Sequence, residues 1–213
     1  MNLTQELNAF QAKFKASQPE AIKETMAQAT ANLIDSKIAE HSLGKGQKML
    51  DFTLPNAVGK EITLSDLLAQ GAVVISFYRG GWCPYCNMEL RALQTILPAI
   101  EAKGATLVAI SPETPDKSLS TKEKNELSYE VLSDRDNILA KQLNLVFTLP
   151  ESLRPIYANF GIDIPAYNGN ATFELPLPAT YVVDPDGTII YRFAHADYTQ
   201  RLDPQEIIKV LES

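Results

Sequence analysis

Hydrophobic positions divide the chain into two parts, and the first forty residues have a helical pattern. Apolar side chains recur there at steps of three and four, at Leu3, Leu7, Phe10 and Phe14 and again at Ile22, Met26, Ala29 and Leu33. Each set falls on one face of a helix, so the pattern predicts two amphipathic helices. The spacing fits a hairpin that packs on its own domain and also one that contacts a second copy, which leaves a homodimer open.

The rest of the chain alternates between short apolar runs and helical patterns. Runs rich in β-branched or aromatic residues, typical of buried strands, cover 73–78, 106–110, 130–132 and 181–183. Helical patterns cover 87–103, 120–127, 137–143 and 204–211. The DPDG sequence at 184–187 predicts a tight turn, because proline presets φ and Asp and Gly accept the geometry, and 188–193 then return as an antiparallel strand.

This alternation predicts an α/β fold in which helices flank a mixed central sheet. We assign 1–42 to an N-terminal helical extension and 43–213 to the α/β domain. Between 147 and 178 the chain holds five prolines, two glycines and several aromatic residues. That stretch is too apolar for a disordered linker, so we expect an ordered insertion near the functional site.

Composition narrows the classes of partner. A net charge of −7 and a pI near 4.9 argue against binding to a phosphate backbone, so we expect no nucleic acid. No apolar run reaches the ~18 residues that would cross a bilayer, and the N-terminus lacks the apolar core of a signal peptide. We therefore expect a cytoplasmic protein without a membrane partner.

The only two cysteines, Cys83 and Cys86, lie where the strand at 73–78 gives way to a helix. A bridge between them would close too short a loop to stabilise a fold. A zinc site needs four ligands, and His41 and His195 lack a suitable spacing, so no metal is predicted. Unpaired N–H groups in the first turn of a helix favour a thiolate, which indicates a redox pair rather than two buried spectators.

A second thiol three residues away can release the first as an intramolecular disulfide. Pro84 suits the first turn of a helix because its missing N–H would have had no helical partner. We expect Trp82 to cover the thiols and offer an apolar docking wall.

The sequence around these cysteines resembles a known family. A strand followed by WCPYC at 82–86 and a helix resembles the thioredoxin superfamily, and Pro84-Tyr85 is the dipeptide found in glutaredoxins. The segments GQKMLDFTLPNAVGKEITL, CPYCNMEL and LPATYVVDPDGTIIYRF resemble the alkyl hydroperoxide reductase and thiol-specific antioxidant group, the peroxiredoxin-like proteins. The resemblance covers about 43–211 and implies a thioredoxin-like fold.

Peroxiredoxins carry Pro-x-x-x-Thr-x-x-Cys, in which the final Cys attacks peroxide. On this resemblance Cys86 attacks, Cys83 stands where Thr is usual, and Glu89 matches a glutamate of the following turn. Thioredoxins instead use the first cysteine, so the order of attack stays open. The family's arginine ahead of the late strand is replaced by Pro178. Arg79 could stabilise a thiolate or polarise a peroxide oxygen in its place, and the alternative is a solvated loop charge.

Pro178, in the sequence LPAT, resembles the cis proline that faces the cysteine pair in thioredoxins. The resemblance implies a cis bond before Pro178 and a substrate groove formed by Pro178, Ala179 and Thr180 opposite Trp82, Pro84 and Tyr85. The alternative is a trans proline that opens a strand.

The resemblance implies an antioxidant thiol peroxidase that reduces hydrogen peroxide or organic hydroperoxides. Cys83 and Cys86 would form a disulfide, which thioredoxin, glutaredoxin or glutathione would reduce, without any cofactor. Two alternatives remain: a disulfide oxidoreductase that acts on protein disulfides, and a non-catalytic redox sensor that switches a contact of the N-terminal helices.

Overall fold

A five-stranded mixed sheet forms the centre of the computed structural model, which describes residues 2–212. The strands in chain order are β1 (Thr53–Pro55), β2 (Glu61–Thr63), β3 (Val73–Phe77), β4 (Thr106–Ser111), β5 (Glu130–Ser133), β6 (Val146–Thr148), β7 (Glu174–Pro176), β8 (Ala179–Val183) and β9 (Ile189–Ala194). The sheet order is β5-β4-β3-β8-β9. Strands β3, β4 and β5 are parallel, whereas β8 runs antiparallel to both β3 and β9.

The part of the chain that the structure describes also forms ten α-helices. They are α1 (Leu3–Ser17), α2 (Glu20–Asp35), α3 (Ile38–His41), α4 (Leu64–Leu68), α5 (Pro84–Ala102), α6 (Pro115–Lys124), α7 (Ile138–Gln142), α8 (Arg154–Asn159), α9 (Ile164–Asn168) and α10 (Pro204–Leu211). The predicted α/β class, its main strands and its main helices are therefore confirmed. The turn at 184–187 is also present, with Gly187 at φ 84° joining β8 to β9.

The central strands are apolar throughout because both faces of the sheet are covered. Val74 faces one core, which α5, α10 and α1 complete, while Val73 and Ile75 face a second core with α4 and α7. Every residue of β3 is buried. Each such aliphatic side chain contributes about 1.5–3 kcal/mol on burial, so β3 is a rigid base for the segment that follows it.

The two predicted N-terminal helices are present as α1 and α2. Leu3 and Leu7 are buried in the same core as α5, and the ring of Phe10 meets that of Tyr85 edge-on at 5.1 Å. Helix α1 therefore packs on its own chain, which is one of the two arrangements that its hydrophobic spacing predicted. The division at residue 42 and a homodimer stay predictions.

The insertion between 147 and 178 is ordered, as expected. Strands β6 and β7 pair at its ends, and α8 and α9 lie between them. A third apolar cluster holds it together, formed by Leu149, Leu153, Tyr157, Ile164 and Leu175. This cluster brings Tyr157 into hydrogen-bond contact with Arg79, so the insertion borders the cysteine segment. None of the helices between residues 2 and 212 has the length and hydropathy needed to span a membrane.

Candidate active site

The segment between β3 and α5 makes two tight approaches that glycine allows. Gly80 has φ 151°, and a Cβ there would lie 2.2 Å from Nε1 of Trp82. A Cβ on Gly81 would lie 2.0 Å from Oγ1 of Thr121. Glycine at both positions lets the indole fold back over the turn and lets the turn rest on α6.

The buried carboxylate of Glu113 accepts hydrogen bonds from this turn and its neighbours. The Gly81 N–H donates to Oε1 of Glu113 at 2.8 Å, and the hydroxyls of Tyr78 and Thr121 each donate to its Oε2 at 3.2 Å. Burial raises the pKa of Glu113, and these hydrogen bonds only partly oppose it. The sequence analysis missed Glu113 because no motif marks it.

The two thiols lie at the start of α5, as predicted. Cys83 is the N-cap residue, Pro84 occupies the first turn, and Cys86 follows within that turn. Both cysteines are free and 0% exposed. The positive end of the helix dipole stabilises a thiolate at this position, and burial of the sulfurs limits screening of that interaction by water.

Within the cysteine pair, the surroundings favour the negative charge on Cys83. Burial opposes ionisation, but a hydrogen bond from Cys86 and the positive charges of Arg79 and Arg201 together hold the pKa of Cys83 well below its ordinary value. Burial, followed by the hydrogen bond to Cys83 and its negative charge, raises the pKa of Cys86 well above its ordinary value. The site thus favours one thiolate, Cys83, beside one protonated thiol, Cys86.

Arg79 is buried and contacts the sulfur of Cys83, so it is not a solvated loop charge. Its Nη2 donates to Cys83 Sγ at 3.3 Å, and its Nη1 donates to the hydroxyl of Tyr157 at 3.1 Å. The guanidinium carbon lies 4.1 Å from the ring centre of Tyr198 and 4.9 Å from that of Trp82. Within residues 2–212 its Nε has no hydrogen-bond partner, which leaves a buried donor beside the thiols.

A second arginine, which the sequence analysis missed, serves the other cysteine. Arg201 lies after β9, and its Nη2 donates to Cys86 Sγ at 3.3 Å. Its Nε forms a buried ion pair with Glu89. The one indirect signal was Glu89, a carboxylate one turn after Cys86 that needs a cation if it is buried.

Only some of the residues predicted to form a substrate groove line a cavity, and the groove itself stays a prediction. Trp82, Pro84 and Tyr85 line a cavity that also reaches Arg79. Pro178, Ala179 and Thr180 are buried and line neither of the two cavities that border Arg79, and in β8 Ala179 pairs with Phe77 and Thr180 with Ser76.

The interpretation of Pro178 as a cis proline is wrong, since no peptide bond between residues 2 and 212 is cis. A trans proline opens β8 here, where its carbonyl accepts a hydrogen bond from the His195 N–H at 3.4 Å. The chain continues directly into the sheet instead of bending toward the cysteines.

Replacing Arg79 by glutamine is expected to move the thiolate titration of Cys83 upward by roughly one pH unit or more, because an adjacent cation favours the charged form. In the native chain the lowered pKa means that the Cys83 thiolate persists to a lower pH than an ordinary cysteine thiolate, and it is lost as the pH falls through that pKa. Thiolate ultraviolet absorbance against pH measures both midpoints. Arg91→Gln, which alters an arginine bonded to Asn125, is the matched control, and an unchanged midpoint in Arg79→Gln would contradict the assignment.

The structure combines a mixed five-stranded sheet with a thiolate at the N-terminus of the helix after its central strand. This arrangement defines a protein of the peroxiredoxin/thioredoxin-like fold with a cysteine pair at the start of the helix. The chain belongs to the AhpC/TSA family, whose sequence profile matches residues 45–192. The N-terminal helices α1 and α2 lie outside that match.

Curated relatives carry peroxiredoxin names. The chain is 33% identical over 94 residues to the putative peroxiredoxin bcp of Buchnera aphidicola, covering 44% of this chain and 59% of the relative. It is 28% identical over 94 residues to peroxiredoxin Bcp of Escherichia coli, covering 44% of this chain and 60% of the relative. The matches thus span about three fifths of these two relatives.

A solved structure has the same fold. The crystal structure of peroxidoxin BcpB from Mycobacterium tuberculosis superposes with a TM-score of 0.63 at 22% identity, covering 80% of this chain and 97% of that one. At this identity the likeness establishes the fold.

Proposed function

We propose that this chain is a thiol peroxidase of the peroxiredoxin type that reduces hydrogen peroxide or organic hydroperoxides. The observation that carries the proposal is the contact between the Arg79 guanidinium and Cys83 Sγ, two groups that are almost completely buried. A fixed cation there stabilises the attacking thiolate and also the oxygen anion that forms when the peroxide bond breaks. Family membership supports the same chemistry.

In the first step the Cys83 thiolate attacks one oxygen of the peroxide. A sulfur–oxygen bond forms and the oxygen–oxygen bond breaks, which gives a sulfenic acid and an alkoxide or hydroxide that takes up one proton. Arg79 is the only charged group that contacts this sulfur among the described residues. Its unpaired Nε is a second donor available to a peroxide oxygen.

In the second step the Cys86 thiol condenses with the sulfenic acid. A disulfide forms and one water leaves, so each cycle consumes two thiols and one peroxide. The raised pKa of Cys86 keeps it protonated until it is needed, and Arg201 lies ready to stabilise its thiolate. Thioredoxin, glutaredoxin or glutathione, the thiol reductants of a reducing cytoplasm, would then restore the dithiol.

Burial of both sulfurs favours a peroxidase over a protein disulfide reductase. In this dithiol state a folded protein disulfide can reach neither sulfur, whereas a peroxide is small enough to enter a cavity. Thioredoxin or glutaredoxin would act later, on the disulfide state, in which one sulfur has to become accessible. Both cysteines are fully buried beneath a segment that includes Trp82 and Tyr85.

The test is stopped-flow oxidation of the reduced protein by hydrogen peroxide, followed through Trp82, the only tryptophan. We expect a second-order rate at least about a hundred-fold above that of free cysteine, the factor that one positioned donor typically supplies. A rate equal to that of free cysteine would reject the proposal in favour of disulfide exchange. Repeated turnover with dithiothreitol separates an enzyme from a sensor, which stops after one equivalent.

A further inference from the structure

A mainly apolar cavity, partly open to solvent, lies between the N-terminal helices and the cysteine segment. This cavity, of about 180 Å³, is walled on one side by Phe10 and Phe14 of α1 and Met26 of α2. Trp82 and Tyr85 of the cysteine segment face them across the space. We call it the hairpin cavity. Its first wall lies outside the part of the chain that matches the family.

The hairpin cavity reaches the reactive centre through Arg79, while neither cysteine lines it. Among the described residues Arg79 is the only charged one in the lining, and its guanidinium donates to Cys83 Sγ at 3.3 Å. A molecule held in the cavity would therefore have one end against the cation that serves the thiolate. The buried Nε of Arg79 has no protein partner and can donate to that end.

The size and lining of the cavity select one kind of occupant. An apolar cavity of ~150 Å³ stays free of water and holds benzene, so a space of about 180 Å³ takes an aromatic or branched group slightly larger than benzene. Rings dominate the lining, and Phe14 and Phe160 meet edge-on at 5.7 Å. Within residues 2–212 the lining offers no cation besides Arg79, which already donates to Cys83 Sγ, so the cavity suits a neutral molecule.

We propose that Phe10, Phe14 and Met26 determine substrate specificity by selecting neutral hydroperoxides that carry a compact apolar group, with the peroxide oxygens at Arg79. This inference rests on the proposed peroxidase function and adds the substrate class. Binding of the hydrocarbon end orients the oxygen–oxygen bond toward Cys83, an advantage that hydrogen peroxide cannot gain. The N-terminal helices thus form the specificity wall of the site.

The test fills the cavity. Met26→Phe is expected to lower the ratio of kcat/KM for cumene hydroperoxide to that for hydrogen peroxide by about ten-fold or more, since a change of one or two methylenes in an apolar pocket discriminates to this degree. Met26→Leu, which preserves volume, should keep the native ratio. Ile22→Phe is the matched control, because Ile22 lies on the same helix and lines neither of the two cavities that border Arg79.

A binding measurement separates the inference from the peroxidase proposal. Cumyl alcohol, the unreactive product, should change Trp82 fluorescence saturably in the native chain and weakly or not at all in Met26→Phe. Absence of peroxide turnover in the native chain would reject the peroxidase function, whatever the alcohol does. Turnover with a ratio that Met26→Phe leaves unchanged, or that Ile22→Phe lowers equally, would reject the specificity wall alone.

Discussion

Replacing Cys83 by serine is expected to abolish the reaction with peroxide, by at least about a thousand-fold, because a serine hydroxyl is not ionised at neutral pH and has no base beside it. Replacing Cys86 by serine is expected to preserve one fast reaction per molecule. The Cys86→Ser variant should then stop at the sulfenic acid, since no thiol remains to condense with it.

Stopped-flow mixing and mass measurement check both expectations. Cys86→Ser should gain the mass of one oxygen after one equivalent of peroxide, and the Cys83→Ser/Cys86→Ser variant gives the baseline. The peroxiredoxin alignment assigns the roles in reverse, so a fast reaction in Cys83→Ser and none in Cys86→Ser would show that Cys86 attacks. Full activity in both single variants would refute a dithiol cycle altogether.

The different partners of the two arginines explain why we assign the attack to Cys83. Arg201 already pairs with the Glu89 carboxylate, so most of its charge is compensated before it meets Cys86. Arg79 forms no ion pair with any carboxylate in residues 2–212, and its neighbours are the phenol of Tyr157 and two aromatic faces. A buried cation without a carboxylate stabilises an anion elsewhere, and the nearest candidate is the Cys83 thiolate.

The hydrophobic pattern predicted the strands and helices well, because burial at each position decides which residue types occur there. The expected strands at 73–78 and 106–110 correspond to β3 and β4, and the helix predicted at 204–211 is α10. A strand covered on both faces must be apolar at every position, so its sequence reports its environment directly. The same rule located the cysteines at the start of α5.

The charged part of the site was not predictable, because it depends on contacts between residues far apart in sequence. Arg201 meets Glu89 across 112 residues and Cys86 across 115, and neither separation has a periodicity that a pattern could reveal. Resemblance directed attention to Pro178, where the family's arginine is missing, while the structure supplies Arg201 from the loop after β9. The position of α1 and α2 over the cysteines likewise follows from tertiary packing alone.

Replacing Arg201 by methionine is expected to lower the free energy of unfolding by about 3–5 kcal/mol, because Glu89 would be left as an unpaired buried carboxylate. Both side chains of the pair are almost completely buried, so water cannot replace the lost partner. Arg201 also donates to the Tyr198 and Gln200 carbonyls, which anchors the loop after β9 against α5. Urea unfolding followed by circular dichroism measures the change.

We attribute the expected loss of stability to breaking the buried Arg201–Glu89 ion pair, and not to removing the arginine alone. The double variant Glu89→Leu/Arg201→Met should recover most of the stability, since it removes both charges and fills the space with apolar atoms. Lys209→Met breaks the exposed pair with Glu206 and is the matched control, for which we expect little change. If the double variant is no more stable than Arg201→Met, the loss comes from the loop contacts of Arg201, and the buried charge of Glu89 is not what the arginine compensates.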